Sequence, residues 1–361
     1  MKIGIFTLPL HTNYGGVLQA YALQTVLEKY GHDVWVINRC RRPLWRKIAS
    51  SIRNILKKIF VDHGIVVIYE HQTRYTEAFI DKYIHSYRVY SPYKIIETDF
   101  EAIVVGSDQI WRPVCIRGMW HAKLEDAFLG FARNWNIKRF SYAASFGVDY
   151  WDFPENEIPI YAELMKKFLA VSVREDSGVK LCKDYLQIDA EHVLDPTMLL
   201  YKEDYEKLIL DTPSANGDLA CYILDVTDSK TKLIERVASE RGLVPFRIGK
   251  SGAKTAPSKE RISPPIETWL RGISDSKFVI TDSFHGCAFS IIFDKPFIVI
   301  GNKMRGLSRM QSLIDMFGLS KHLLVDVKEY NPSYSYVQPG TVAIRLEELR
   351  KKSNAFLANI K

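Results

Sequence analysis

A histidine in the first turn of an expected helix is the group in this sequence best placed to do chemistry. It lies in Thr281 to Ser290, TDSFHGCAFS. Ahead of it, Lys277-Phe-Val-Ile280 is a short apolar, β-branched run that predicts a buried strand. Behind it, Ala288, Phe289, Ile291, Ile292 and Phe293 predict an apolar helix ending near Asp294-Lys-Pro296. Asp282, Ser283, His285 and Gly286 therefore fall at a strand-to-helix turn. In an open α/β sheet such turns form the ligand-binding carboxyl edge. A helix start offers unpaired N–H groups and partial positive charge, which suit an anion. Asp282 or Ser283 could cap the helix, His285 would project from its first turn, and Gly286 would let a ligand approach the backbone. Imidazole can donate or accept a proton near neutrality, which suits acid–base work. The other reading of the same residues is a capped helix whose histidine merely bonds a neighbour.

Several further strands should deliver polar residues to the same edge. Lys2 to Leu8 predicts a strand, His11 to Gly16 a loop with Asn13, Gly15 and Gly16, and Val17 to Tyr30 a helix. Asp33 to Asn38 completes a β-α-β unit, which implies parallel strands. The loop lacks GxGxxG spacing, so it is not a dinucleotide fingerprint, and its glycines also fit plain turn geometry. Glu101 to Val105 leads to Gly106-Ser-Asp108, Lys138 to Ala143 to Ala144-Ser-Phe-Gly147, Ala170 to Val173 to Arg174-Glu-Asp-Ser177, and Val193-Leu194 to Asp195-Pro-Thr197. Ile158 to Phe168 reads as helix, and the tyrosine-rich stretch 65–99 as helix and loop.

The pattern restarts after a turn-rich joint at 200–218. Strands are expected at Leu219 to Leu224, Val244 to Ile248 and Pro296 to Ile300, with helices at Ser229 to Arg241, 265–274 and up to Phe317. A terminal helix spans Thr341 to Ile360. The expected fold is α/β: two Rossmann-like domains facing a cleft, one over 1–205 on the acceptor side and one over 218–340 on the donor and anion side, followed by 341–361.

Composition sets the class. The 361 residues are 47% hydrophobic, 25% charged and 12% aromatic, as in a soluble globular protein of about two domains. Five scattered cysteines with no CxxC give neither a zinc site nor a disulfide framework, and fit a reducing compartment. No apolar run reaches the ~18 residues of a membrane span, and the apolar start is too short for a signal peptide, so a cytoplasmic location is expected. Of the net charge of +7, residues 39–60 carry eight basic residues and no acid, leaving −1 for the remainder. So local an excess argues against nucleic acid as a partner. Leu44 to Phe60 is basic on one face and apolar on the other. It reads either as a surface helix docked on its own domain or as a helix on an anionic membrane.

Taken together, NYGGVLQAYALQ with GHDV, VVGSDQIW, SYAASFG, SVRED, LDPT, ITDSFHG and RGLSR resemble the polysaccharide pyruvyl transferase family, in its order and over residues 1 to about 318. The resemblance implies a GT-B-like fold whose last helix crosses back to the first domain. It also implies transfer of a pyruvyl group from phosphoenolpyruvate to two sugar hydroxyls, giving a cyclic ketal on a surface glycan. The donor is a substrate; no cofactor and no metal are expected, since Arg and His can neutralise the leaving phosphate. His285 would be the general acid, with Asp108 or His285 as base. Arg174 would fork an anion, Arg305 and Arg309 would add positive potential, and Asn13, Gly15, Gly16, Ser283 and Gly286 would line the substrate. Asp108 could equally be a turn cap, and Arg174 an ion-pair partner of Glu175 or Asp176. If Arg174 forks the anion, its loss should harm binding far more than folding. A lipid-linked acceptor at the inner face of the membrane would give Leu44 to Phe60 a peripheral role. Two other functions fit the same elements: a GT-B glycosyltransferase using a nucleotide sugar, and a non-catalytic glycan-binding protein.

Overall fold

Buried runs such as Ile-Gly-Ile-Phe, Ala-Ile-Val-Val and Phe-Ile-Val-Ile have no polar face, so they form central strands of parallel sheets covered on both sides. The computed structural model describes residues 1–39, 64–117, 122–250, 262–302 and 306–360, with 64–72 described by backbone alone. The first domain holds β1 (Lys2–Phe6), β2 (Asp33–Arg39), β3 (Ser86–Val89), β4 (Ala102–Val105), β5 (Lys138–Ala144), β6 (Ala170–Val173) and β7 (Glu191–His192). They form one parallel sheet in the order β3-β2-β1-β4-β5-β6-β7. The second domain holds β8 (Leu219–Tyr222), β9 (Pro245–Arg247), β10 (Phe278–Thr281), β11 (Phe297–Ile300) and β12 (Leu323–Leu324). Their order is β12-β11-β10-β8-β9, again all parallel. The α/β architecture of two Rossmann-like domains facing a cleft is therefore present.

Strand order decides where the site can be. In the first sheet the chain reverses direction across the sheet between β1 and β4; in the second it does so between β8 and β10. Neighbouring loops diverge to opposite faces at such switch points and open a crevice. The segments after β1, β4, β8 and β10 all line one cleft, so the two crevices face each other.

Local differences from the sequence expectation have physical causes. The first helix runs Tyr14–Lys29, so Gly15 and Gly16 sit in its first turn and not in a loop. The stretch 65–99 contains the helix Gly64–Tyr83 and the edge strand β3, whose mixed burial gives no clean alternation. The strand expected at Val193-Leu194 is instead Glu191–His192. That after the joint ends at Tyr222, which frees Ile223–Asp225 to line the cleft.

The domains share one apolar core. Tyr14 packs on Tyr222 and Trp269, with ring centroids 6.4 and 5.7 Å apart, and its hydroxyl donates to Pro264 O at 2.7 Å. The last helix, Thr341–Ala358, lies against the first domain. Arg350 donates to Met198 O at 2.7 Å and Leu200 O at 2.9 Å, and the Phe356 ring is 6.1 Å from Tyr142.

Candidate functional site

The facing switch points enclose a cleft of about 620 Å³, large enough for a small anion and part of a sugar. From the first domain Asn13, Tyr14, Asp108, Gln109 and Arg112 line it; from the second, Asp225, Ser283, Phe284, His285 and Arg309.

On the first-domain side a buried glutamine ties the strand ends together. Gln19 donates to Gly16 O at 2.8 Å and Thr7 Oγ1 at 3.1 Å, and accepts from Ser107 N at 3.0 Å. This fixes the start of the first helix against the end of β4. Asp108 follows with φ +60, a conformation that Asp tolerates better than most residues. One of its carboxylate oxygens accepts from Gln109 N at 2.9 Å, and Asn13 Nδ2 lies 3.4 Å from the other.

On the second-domain side the helix Phe284–Ile292 begins at the cleft. The N–H groups of its first turn have no partner within the helix. Neither expected cap operates. Ser283 occupies the N-cap position without a side-chain cap bond. Asp282 is buried and turned away, accepting from Leu224 N at 2.6 Å, Asp225 N at 3.1 Å and Lys230 Nζ at 2.7 Å. It therefore shapes the loop after β8. Gly286 does not open the backbone to a ligand either. A Cβ there would lie 2.2 Å from Thr281 Oγ1, so glycine lets the helix turn pack on the end of β10.

His285 crosses the domain boundary. Its ring lies so close to the first helix that a Cβ on Gly15 would be 1.9 Å from Nδ1. Gly15 is thus required by a close approach between domains, and not by turn geometry. On the other side, Nε2 is 3.7 Å from Asp195 Oδ2, longer than a hydrogen bond.

Arg174 is 3% exposed and sits one layer behind the cleft wall, its guanidinium 4.4 Å from the Phe284 ring centroid. Nη1 donates to Asp195 Oδ2 at 2.8 Å, Nε to Glu175 Oε1 at 3.4 Å, and Nη2 is 3.8 Å from Asp108 Oδ1. The fork expected to face a ligand is occupied by protein carboxylates, Glu175 as expected and Asp195 in place of Asp176. Burial opposes its charge, but Asp195, Glu175 and Asp108 outweigh that and raise it above its usual value. Burial likewise works to neutralise Asp195, yet His285 and Arg174 hold its carboxyl well below the usual range. Glu175 is pushed up by burial, partly offset by Arg174 and by a bond from Ser145. Burial, then the charge of Arg174, pushes Arg309 down to about 10.

The cleft thus brings together Asn13, Asp108, Ser283, His285 and Arg309, with Gly15 packed against the His285 ring. Gly16 lies behind Asn13 and Asp108: a Cβ there would meet them at 3.2 and 3.4 Å. Arg305, like Leu44 to Phe60, lies outside the described residues. Sequence reasoning missed Gln19 and Asp195 as site-forming residues. The signal for Asp195 was its place before Pro-Thr, where a carboxylate turns back onto its own backbone; its Oδ1 accepts from Thr197 N at 3.0 Å.

Comparison with known proteins bears on family. A sequence model of the polysaccharide pyruvyl transferase family matches residues 13–304. No curated protein matches the chain. Among solved structures it is similar to S. aureus MnaA in a co-structure with UDP, at 10% identity over 95% of this chain and 94% of that one, TM-score 0.48. It is also similar to UDP-GlcNAc 2-epimerase from Neisseria meningitidis bound to UDP-GlcNAc, at 11% identity over 100% and 95%, TM-score 0.46. A third is the spinosyn forosaminyltransferase SpnP, at 11% identity over 98% and 94%, TM-score 0.44. Likeness this distant says nothing about substrate. The family match covers most of the chain and runs from the start of the first helix through the His285 turn; the chain belongs to the polysaccharide pyruvyl transferase family.

Proposed function

We propose that this protein transfers a pyruvyl group from phosphoenolpyruvate to two hydroxyls of a sugar, forming a cyclic ketal on a polysaccharide or its precursor. The observation that carries this reading is the meeting of His285, Arg309 and the free helix start with Asp108 in one cleft between the domains. The helix N–H groups, Ser283 and Arg309 hold the donor's anionic groups. His285 as imidazolium gives a proton to the methylene carbon, and a sugar oxygen bonds to the adjacent carbon. Asp108 takes the proton of that hydroxyl, with Asn13 beside it. Phosphate then leaves toward Arg309, carrying away the proton taken up by Asp108, and the second hydroxyl closes the ring as its proton passes to the neutral His285. Arg174 acts from behind the wall by holding Asp108 and Asp195. This chemistry asks for no cofactor, since cations of the chain neutralise the leaving phosphate.

The test is phosphate release from phosphoenolpyruvate across a panel of free and lipid-linked sugars. Release is expected only with an acceptor that offers two suitably spaced hydroxyls. In parallel, phosphoenolpyruvate at 100 Kd should stabilise the fold by ~2.7 kcal/mol. Stabilisation by UDP or GDP ligands with no phosphate release would turn the reading to a nucleotide-sugar glycosyltransferase. Silence in both assays with retained glycan binding would leave a glycan-binding protein.

A lipid-linked acceptor would bring the enzyme to the inner face of a membrane. No helix among the described residues is long and apolar enough to cross one. The basic segment 44–60 is proposed as a peripheral contact, each cation near an anionic leaflet contributing about 1 kcal/mol. Co-sedimentation with vesicles should need anionic lipid, weaken with salt, and fall when Arg46, Lys47, Arg53, Lys57 and Lys58 become Gln. Equal failure on anionic and neutral vesicles would discard the contact.

A further inference from the structure

The carboxylate of Asp195 is bonded at both oxygens, one to its own loop and one to Arg174. Oδ1 accepts from both Thr197 N at 3.0 Å and Thr197 Oγ1 at 2.7 Å, which sets the plane of the group. Oδ2 accepts from Arg174 Nη1 at 2.8 Å, has Ser107 Oγ at 3.4 Å, and faces His285 Nε2 at 3.7 Å. Asp195 itself is 2% exposed. The imidazole nitrogen that faces it, Nε2, is buried and has no hydrogen-bond partner. Nδ1 stands on the other side of the ring, beside Gly15, in a residue that lines the cleft. A buried carboxylate thus faces one ring nitrogen, while the other lies beside Gly15 in a residue of the cleft wall.

We infer that Asp195 is the positioning residue of His285: it keeps a proton on Nε2 and thereby makes Nδ1 the nitrogen that exchanges a proton with substrate. The inference rests on the acid–base role proposed above for His285. The ring needs about 1 Å of movement to turn the 3.7 Å contact into a charge-assisted hydrogen bond. The imidazolium gives its Nδ1 proton to the methylene carbon of the donor. The neutral ring that remains carries its proton on Nε2, against Asp195, with its Nδ1 lone pair toward the cleft. Nδ1 recovers its proton from the second hydroxyl as the ring closes. Asp195 gains and loses no proton in the cycle; it fixes the tautomer and offsets the charge of the imidazolium. Arg174 and the two bonds from Thr197 keep Asp195 an anion in a fixed plane, which explains why so buried a carboxylate is tied at both oxygens.

Two measurements test this. Nitrogen-15 spectra of histidine-labelled wild-type protein, at a pH where the ring is neutral, should show His285 with its proton on Nε2. A proton on Nδ1 overturns the inference, and this readout depends neither on activity nor on a variant that must fold. Second, Asp195→Asn should lower kcat by roughly 10²-fold or more, with the KM for phosphoenolpyruvate changing only a few-fold, because the carboxylate does not touch the donor. Thr197→Val removes one of the two bonds that orient the carboxylate, keeps its charge, and should lower kcat by a smaller factor. A rise in KM with kcat unchanged in Asp195→Asn sinks the positioning role. Absence of phosphate release by the wild type with every acceptor counts against the proposed function, and the tautomer still decides the pairing with Asp195.

Discussion

Replacing His285 with glutamine is expected to cut turnover by roughly 10²-fold or more, the scale of general acid–base work. Glutamine keeps a polar side chain of similar reach and loses only the ability to carry a proton back and forth. The residue belongs to the first turn of a nine-residue helix and lines the cleft, so the fold should persist. Binding of phosphoenolpyruvate should weaken far less than turnover, since Arg309 and the helix N–H groups remain. Gly15→Ala supplies the companion measurement with the histidine intact. Its new methyl would lie 1.9 Å from Nδ1, so the ring or the first helix turn must move. A displacement of about 1 Å at a reacting group can cost 10²-fold. Near-normal activity in His285→Gln would make the residue a structural bonder. Near-normal activity in Gly15→Ala alone would show that the interdomain seat is not needed for the reaction.

Arg174→Ala should chiefly destabilise the protein, by about 3–5 kcal/mol, the range for removing one partner from a buried ion pair. The sequence alone suggested the opposite balance, with binding lost and stability kept. Burial reverses it: the guanidinium is enclosed with Asp195, Glu175 and Asp108, and its loss strands them in a low dielectric. Arg174→Lys keeps a charge but cannot span carboxylates in different directions, so an intermediate loss is expected. Denaturant midpoints and the phosphoenolpyruvate KM, measured together, decide the matter. An unchanged midpoint with a large rise in KM would show that Arg174 reaches the ligand after all. The pH dependence follows from Asp195. Its folded carboxyl is held below the ordinary value of about 3.9, so its contribution to stability is present above that pH and lost as acid titrates it. Without Arg174 the depression shrinks, and the acid-dependent loss should be smaller.

What the sequence alone determined is mostly local. Apolar runs of four or five residues, each followed by small or polar ones, are enough to specify parallel strands with polar edges. The turn after β10 and the restart of the pattern after residue 218 likewise follow from nearest neighbours in the chain. The placing of His285, Asp108 and Asn13 in the segments that follow strands was legible for the same reason. Tertiary structure alone decided which strand ends meet, because strand order is not encoded in any single segment. It turned Gly15 from a turn residue into the seat of a histidine 270 positions away, and Gly286 from a ligand approach into a packing contact with Thr281. It moved Arg174 from the cleft wall to the layer behind, where Phe284 covers it and Asp195 takes its fork. It also assigned Asp282 to the loop after β8 and not to its own helix. In each case the deciding quantity is a through-space distance between residues remote in the chain. A sequence pattern can show that a charged group will need a partner, but which partner is set by the packing of two domains against each other.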